Sequence, residues 1–346
     1  MTETLPQPAS TTTPVPTVET VLGPVAADAL GTTLAHEHVF VRTPDSQTNW
    51  VRDWDDEAQV AGAVERLREL RATGVTTIVD PTVDGLGRDL VRLRLVAEQV
   101  PDLNIVVATG VYTYTDVPHY FTYRAAALPD GPDPMVDLFV RDIREGIQDT
   151  DTKAAFLKCA IDEHGPTPGV ERVLRAVARA HLTTGAPIMV HTHPGTRSGA
   201  YVHRVLTEEG VDPTRVQLAH SGDSTDTDHL AELADTGYLL GMDRFGLDVI
   251  LPFAERVAVV AELCRRGYAA SMTLSQDAAC HFDWADPDLL AALPNWHYLH
   301  VLRDVVPALR ELGVEERDMT TMLVDNPRRW LTTPSLHHRT GHDGRR

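Results

Sequence analysis

Two histidines stand two positions apart near the start of the chain, within residues 34–40. This run has the composition of a β-strand, and residues i and i+2 of a strand point to the same face. His36 and His38 are therefore expected to project side by side, which suits binding of one metal ion by two neutral imidazoles. Such a pair also occurs as buried, hydrogen-bonded core histidines, so the pair alone is a weak signal.

Four more residues that can bind metal stand near the ends of later strand-like segments: Lys158, His191, His220 and Asp277. Together with the first pair, they could hold two divalent metal ions. A protonated lysine cannot be a ligand, but a carbamate formed from Lys158 and CO₂ would offer two anionic oxygens as a bridge. Burial beside metal charge favours the neutral amine that this reaction needs. The alternative role for Lys158 is an ordinary salt bridge.

The chemistry that follows from such a site is hydrolysis. Two metal ions about 3.5–4 Å apart can share a hydroxide, lower its pKa and polarise the oxygen under attack. Asp277 is predicted to ligate one metal and to carry the hydroxide's proton toward the leaving group. Zn is the expected metal, with Fe, Co and Mn as alternatives, since histidine and carboxylate ligands accept all four.

Strand-like and helix-like segments alternate along the chain, which predicts a parallel sheet. Eight such units predict a single-domain (β/α)₈ TIM barrel, with an open doubly wound sheet as the alternative. The barrel is preferred because polar residues recur at the carboxyl ends of the strands, which converge on one point only in a barrel. The predicted strands are residues 32–40, 75–83, 104–112, 153–161, 187–193, 215–220, 238–243 and 271–277. Helices are predicted at residues 55–73, 88–99, 133–148, 200–209, 227–234, 251–266, 298–312, 315–324 and 327–331, and around Val170–Val177.

Composition narrows the class of protein. The 346 residues include 50 acidic and 31 basic side chains, a formal charge of −19. This charge repels polyanions, so nucleic acid and anionic membrane surfaces are not expected as partners, whereas a small neutral substrate is compatible with it. The sequence has no apolar run of about 18 residues or more that would cross a membrane. Three cysteines without a C-x-x-C spacing fit a reducing cytoplasm.

The two ends of the chain differ from the rest. Residues 1–17 are rich in Thr and Pro and lack the features of a secretory signal, which predicts a disordered tail. The hydrolase barrel is predicted to span residues 18–333, and residues 334–346 are predicted to form a polar C-terminal tail.

The order and spacing of five short motifs resemble the phosphotriesterase family of the amidohydrolase superfamily, from about residue 18 to residue 331. The motifs are LAHEH at 34–38, FLK at 156–158, VHT at 190–192, AHSGD at 219–223 and SQD at 275–277. Four further segments look most similar to the phosphotriesterase-like lactonases of that family. These are GVYTY at 110–114, LTEEGVDP at 206–213, GMDRFGLD at 241–248 and CHFDW at 280–284.

The resemblance implies roles for particular residues. The metal ligands would be His36, His38, His191, His220 and Asp277, with Lys158 as the bridging N6-carboxylysine. It further implies that Tyr112 sits over the metals and contacts the hydroxide or the lactone oxygens, and that Arg244 shapes the substrate pocket. It also implies a homodimer.

Several alternatives remain open on the sequence. Tyr112 could be a packing residue, and Arg244 could pair with Asp243 or Asp283 at the surface. His193 lies on the same face as His191 and could replace it as the ligand.

The segment after the last strand, residues 278–297, departs from the family, so substrate identity does not transfer. It is apolar, and it is either a helix packed on the barrel or the wall of a channel for an acyl chain. Its apolar residues include Trp284, Leu289, Leu290, Leu293 and Trp296.

The sequence therefore predicts a metal-dependent lactonase with a weak phosphotriesterase side activity. Its expected substrates are N-acyl homoserine lactones, which would make it a quorum-quenching enzyme, or simple γ- and δ-lactones. The bridging hydroxide would attack the ring carbonyl while one metal and Tyr112 hold the oxyanion. The alternatives are a dedicated phosphotriesterase that hydrolyses organophosphates, another carboxylic ester hydrolase of the family, or a barrel that holds metal for structure alone.

Overall fold

The computed structural model describes residues 15–43, 45, 49–50, 54–127 and 133–332. A short antiparallel ladder, β1 with β2, precedes the main sheet, and in it Thr17 pairs with Ala26. The predicted N-terminal tail up to residue 14 and the predicted C-terminal tail at 334–346 lie outside the described residues. The strands are β1 Thr17–Val18, β2 Val25–Ala26, β3 Thr33–Leu34, β4 His38–Val41, β5 Thr77–Asp80, β6 Asn104–Gly110, β7 Phe156–Ala160, β8 Ile188–His191, β9 Val216–Ala219, β10 Leu239–Met242, β11 Met272–Leu274 and β12 Ala279–Phe282.

Eight of these strands form one parallel sheet in the order β3, β5, β6, β7, β8, β9, β10, β11. The two edges of that sheet meet, because β4 continues the first strand and pairs in parallel with β12. Between the two ladders, the Asp277 N–H donates to the His36 carbonyl at 3.1 Å and the His38 N–H donates to the Ala278 carbonyl at 2.8 Å. The fold is thus the (β/α)₈ barrel that the sequence predicts.

Helices surround the sheet, and several begin at the same kind of signal. Asp55, Asp89, Thr167 and Asp226 each accept a hydrogen bond from the backbone N–H three residues later. The α-helices are Asp56–Ala72, Leu90–Ala97, His119–Ala127, Pro134–Arg144, Pro168–Thr184, Ser198–Glu209, Thr227–Asp235, Phe253–Arg265, Pro287–Ala291, Val306–Glu311, Glu316–Thr320 and Asn326–Leu331. Two π-helical turns, Val301–Val305 and Thr321–Asp325, lie in the C-terminal part. Within the part of the chain that is described, no helix is long and apolar enough to span a bilayer.

Alternate residues of each strand point into the barrel, and this places the polar groups at one end of it. Phe156 and Met189 belong to a buried cluster that includes Trp330 and the inward residues of neighbouring strands. Lys158 and His191 follow Phe156 and Met189 by two positions on the same strands, so they project inward at the carboxyl end. The packed interior therefore forms a floor beneath the polar groups.

The structure differs from the sequence prediction where the barrel closes. The first strand was expected to be continuous over residues 32–40, but it is interrupted between Leu34 and His38. The break arises because β3 pairs with β5 whereas β4 pairs with β12, so the chain changes partner at this point. The β12 strand and the helix His119–Ala127 were not predicted.

Candidate metal centre and active site

A cavity of about 260 Å³ opens at the carboxyl end of the barrel. Every site residue proposed from the sequence lines it: His36, His38, Tyr112, Lys158, His191, His220, Arg244, Asp277 and Trp284. The described side chains around this cavity do not include His193, whose backbone N–H instead donates to the Ser198 hydroxyl at 2.8 Å. The position of His191 therefore favours it over His193 as the ligand.

Three imidazoles point one nitrogen at the carboxylate of Asp277. The Nε2 atoms of His36 and His38 lie 3.3 and 3.2 Å from Asp277 Oδ1, and the Nε2 atom of His220 lies 4.0 Å from Oδ2. Potential ligand atoms of His36, His220 and Asp277 all lie within 4.8 Å of one another. This spacing fits a bound cation.

The other nitrogen of each of these imidazoles is held from behind. His36 Nδ1 lies 2.9 Å and His220 Nδ1 lies 3.0 Å from the buried carboxylate of Asp243. His38 Nδ1 lies 2.7 Å from the hydroxyl oxygen of Thr82. Such outer partners fix the ring orientation and the tautomer of metal-binding histidines, and they leave Nε2 free to bind.

His191 presents the opposite nitrogen. Its Nε2 lies 2.9 Å from Asp162 Oδ2, while its Nδ1 lies 2.9 Å from His220 Nε2. Burial lowers the pKa of His191 to about 4, although Asp162 opposes this shift, and burial also lowers the pKa of His220 well below its usual value. Each neutral ring uses its single proton on the carboxylate behind it, so two lone pairs face each other. A cation between them would remove that repulsion, and the donor set therefore fits a metal ion.

Asp162 is a candidate functional residue that the sequence analysis did not identify. Its Oδ2 atom accepts a hydrogen bond from the Tyr112 hydroxyl at 2.9 Å as well as contacting His191. Asp162 follows the predicted strand 153–161 by one position, so the rule that polar residues at strand ends converge was a signal for it. One carboxylate thus orients both a candidate ligand and a candidate substrate-binding group.

Lys158 lies in the floor of the cavity with 1% of its surface exposed. Its ammonium nitrogen lies 3.4 Å from the Met189 sulfur, and no described carboxylate lies within the 4.0 Å of an ion pair. Burial lowers the pKa of Lys158 to about 8, which increases the fraction of neutral amine. A buried lysine without an ion-pair partner fits conversion to a carbamate better than the salt bridge considered as its alternative.

Arg244 joins two carboxylates rather than the partners suggested by the sequence. Its Nε donates to Asp277 Oδ2 and one terminal nitrogen donates to Asp223 Oδ2, each at 3.1 Å. Burial would raise the pKa of Asp277, but the nearby histidines and Arg244 hold it well below its usual range. Asp277 is thus ionised in this arrangement.

Two residues at the candidate centre have strained backbones. His220 and Asp277 have φ angles of 65° and 54°, in the left-handed region that residues with side chains rarely adopt. Both follow the ends of barrel strands, β9 and β11. Such outliers cluster at active sites, where the surrounding hydrogen bonds maintain them.

One side of the cavity is apolar. Trp284 donates its indole N–H to the Thr43 hydroxyl at 3.0 Å and its ring lies 5.7 Å from that of Tyr112. The Trp296 indole N–H lies 3.0 Å from the carbonyl oxygens of both Gln276 and Asp277. The apolar residues that line this side are Leu247, Ile250, Phe282, Trp284, Leu289, Leu290, Leu293 and Trp296.

The loops that carry this apolar wall are packed together. A Cβ atom on Gly246 would lie 2.3 Å from the carbonyl oxygen of Asn295, so glycine allows the close approach. Leu289 and Leu290 belong to the short helix Pro287–Ala291 and also line the cavity. Part of this segment is therefore helical, and the channel for an acyl chain stays a prediction.

Comparison with known proteins gives a consistent result. A sequence profile of the phosphotriesterase family matches residues 16–331. A phosphotriesterase homology protein of Mycobacterium tuberculosis is 56% identical over 318 residues, which cover 91% of this chain and 97% of that protein. An aryldialkylphosphatase of Saccharolobus solfataricus is 38% identical over 306 residues, covering 88% and 95% of the two chains. The solved structure of the phosphotriesterase from Mycobacterium tuberculosis superposes with a TM-score of 0.89 at 56% identity and covers 92% of this chain and 99% of its own.

Proposed function

Because this chain belongs to the phosphotriesterase family and is a hydrolase of that family, we propose that it is a two-metal lactonase for lactones that carry an aliphatic chain. The observation that carries the proposal is that imidazole groups able to bind metal and a wall of apolar side chains line the same cavity. A site with a few convergent polar groups and an otherwise apolar lining suits a small neutral ligand. N-acyl homoserine lactones and simple γ- and δ-lactones have this character, which makes quorum quenching a corollary of the proposal.

We assign the proposed ligands to two groups, with His220 close to both. His36, His38 and Asp277 would hold one ion, and His191 and His220 would hold the other. The amine of Lys158 would add to CO₂ with loss of a proton, and the resulting carbamate would bridge the two ions. When bound, such ions lower the pKa of a water molecule that they share and polarise the carbonyl under attack. Zn is the proposed metal, with Fe, Co and Mn as alternatives.

The protein's own groups would then guide the reaction. Water adds to the ring carbonyl carbon, the bond from that carbon to the ring oxygen breaks, and Asp277 transfers a proton from the water to the departing oxygen. Asp277 suits this role because it is ionised and because Arg244 fixes its Oδ2 atom. Burial holds the pKa of Tyr112 above its usual value, so this residue remains a neutral hydroxyl. Its one proton is donated to Asp162 Oδ2 in this structure, so it would have to turn toward the substrate in order to donate to the carbonyl oxygen.

The apolar wall would hold the acyl chain. Trp284, Leu289 and Ile250 are 40%, 53% and 47% exposed, so apolar surface at the cavity mouth is available to a ligand. The product is an anionic hydroxy acid, and a protein with a formal charge of −19 would repel it. Opening of the ring therefore favours release.

A dedicated phosphotriesterase is the second candidate, because one relative is named an aryldialkylphosphatase at 38% identity. Another carboxylic ester hydrolase would use the same ligands with a different fit to the wall. A barrel that holds metal for structure alone is less consistent with the cavity, since a structural zinc site is closed by four ligands. We also propose a cytoplasmic homodimer that binds neither nucleic acid nor membrane, and light scattering on the purified protein tests the dimer.

The test is hydrolysis by purified protein of known metal content. The substrates are a long-chain acyl homoserine lactone, a simple γ-lactone and a phosphotriester, and the variant is Lys158→Ala. Lys153→Ala is the matched control, because Lys153 lies five positions earlier and does not line the cavity. We expect lactones to be preferred by orders of magnitude in kcat/KM and only Lys158→Ala to be inactive. A preference for the triester would replace the substrate assignment, and activity that survives a chelator would refute the metal site.

A further inference from the structure

A fully buried carboxylate lies between the first two candidate ligands. Glu37 has 0% exposure and separates His36 from His38 in the sequence. Among the described residues, no cationic side chain forms a hydrogen bond or an ion pair with this carboxylate. Since a buried polar group is costly unless it is hydrogen-bonded, this buried carboxyl group requires an explanation.

The hydrogen bonds that the Glu37 carboxylate accepts from described residues all come from one short segment. Glu37 Oε1 accepts from the Ser275 hydroxyl at 2.6 Å and from the Gln276 N–H at 3.0 Å. Glu37 Oε2 accepts from the Ala278 N–H at 3.0 Å. The two N–H groups belong to the residues immediately before and after Asp277. One carboxylate thus binds the backbone on both sides of the candidate ligand.

Asp277 needs such support because of its backbone conformation. Its φ of 54° is unfavourable for a residue with a side chain, and other backbone conformations are open to it unless its neighbours are fixed. The bonds to Glu37 fix the N–H groups before and after it, and the bond from the Asp277 N–H to the His36 carbonyl at 3.1 Å fixes the third. Together they set where the Asp277 carboxylate points.

The same contact reaches back to His36. The Ser275 hydroxyl oxygen accepts a hydrogen bond from the His36 N–H at 2.9 Å while its own proton is donated to Glu37. A chain of hydrogen bonds therefore links the backbone of one candidate ligand to the backbone of the other. All three groups that contact the Glu37 carboxylate donate hydrogen bonds to it. A glutamine at this position would place its own N–H₂ donor against a backbone N–H donor, and that hydrogen bond would be lost.

We propose that Glu37 is a positioning residue that holds Asp277 and His36 in the arrangement needed to bind a metal ion. It acts through the backbone of residues 275–278 rather than by touching substrate or metal. The inference rests on the proposed function, because it concerns how that metal site is assembled. It assigns the residue between the two histidines a role of its own.

The experiment compares wild type with Glu37→Gln and Ser275→Ala. Asp142→Asn is the matched control, because Asp142 is a buried carboxylate that accepts hydrogen bonds from Arg88 and Thr109 away from the cavity. Each protein is stripped of metal and titrated with Co²⁺ against a competing chelator. The visible spectrum of bound Co²⁺ reports coordination geometry, and thermal unfolding of the metal-free protein reports the fold.

We expect Glu37→Gln to weaken Co²⁺ binding about 10- to 100-fold and to change the visible spectrum of the bound ion. The variant should lower kcat by a larger factor than it changes KM. Ser275→Ala keeps both backbone bonds, so it should show a smaller change in the same direction. Asp142→Asn should unfold at lower temperature yet bind Co²⁺ with wild-type affinity and spectrum. If Glu37→Gln does not fold, Ser275→Ala decides the matter.

Wild-type affinity and spectrum in Glu37→Gln would overturn the inference and leave the proposed function intact. The same result in Ser275→Ala would overturn it if Glu37→Gln cannot be prepared. Failure of the wild type to bind two ions would instead refute the proposed function, and the inference with it.

Discussion

The Asp162 carboxylate lies 2.9 Å from the Nε2 atom of His191, and this contact decides which nitrogen of His191 faces the cavity. Because Nε2 is held, Nδ1 is left 2.9 Å from His220. We therefore predict that Asp162→Asn weakens binding of one of the two proposed ions about 10- to 100-fold. Metal content after dialysis and calorimetric titration measure this effect. Glu163→Gln, at the exposed neighbouring position, is the control, and equal affinities in the two variants would contradict the prediction.

The proposed carbamylation of Lys158 predicts that metal uptake depends on CO₂. Metal-free protein given Zn²⁺ in CO₂-free buffer should recover the proposed lactonase activity slowly and incompletely, whereas added bicarbonate should restore it. The lowered pKa of Lys158, about 8, predicts faster recovery at pH 8 than at pH 6, because the neutral amine reacts with CO₂. Recovery that is independent of bicarbonate would argue for an uncarbamylated lysine.

The apolar wall predicts a dependence on chain length. Leu293→Asp should lower kcat/KM for a long-chain acyl homoserine lactone by roughly 5- to 30-fold, since burying a leucine side chain contributes about 1–2 kcal/mol. A γ-lactone without an acyl chain should change by less than about threefold, because it does not reach the wall. Leu312→Asp is the control at an exposed leucine outside the cavity. A similar loss for both lactones would place Leu293 in contact with the ring instead.

The buried histidines predict how the stability of the metal-free protein depends on pH. Burial lowers the pKa of His191 to about 4 from an ordinary 6.5, and the pKa values of His36 and His220 are lowered for the same reason. Below pH 6.5 the unfolded chain binds protons that the folded chain does not, so the free energy of unfolding should fall between pH 6.5 and pH 4. Each such histidine contributes up to about 1.4 kcal/mol per pH unit.

Urea unfolding of chelator-treated protein at several pH values measures this slope. His191→Gln removes one of the titrating groups and should give a shallower slope over the same window. Equal slopes for wild type and His191→Gln between pH 6.5 and pH 4 would show that the His191 imidazole is protonated in the folded state.

The barrel and the residues around its cavity followed from the sequence because one rule governs both. Alternating units give parallel strands, and the side chains at the strand ends then meet at one opening. His36, Lys158 and Asp277 are far apart in the chain, yet this rule brings them to one cavity. Residue type and strand position were sufficient for that result.

What did not follow from the sequence depends on which atoms face each other. Asp162 decides that His191 turns its Nδ1 atom toward the cavity. The path of a loop decides that Arg244 pairs with Asp223. The role of Glu37 depends on the register in which β4 meets β12, which no local pattern in either segment specifies. Side-chain orientation is set by such tertiary contacts rather than by periodicity.

The contact between Glu37 and Ala278 joins residues 241 positions apart, and it has a consequence for how the protein folds. Pairings of such long sequence separation form only after a large loss of chain entropy, so they come late. His36 and His38 stand on one side of this seam and Asp277 stands on the other. The proposed metal centre is therefore completed only when the first and last units of the barrel have met. Metal uptake should follow folding rather than guide it, and a nascent chain that lacks its last unit would carry an incomplete site.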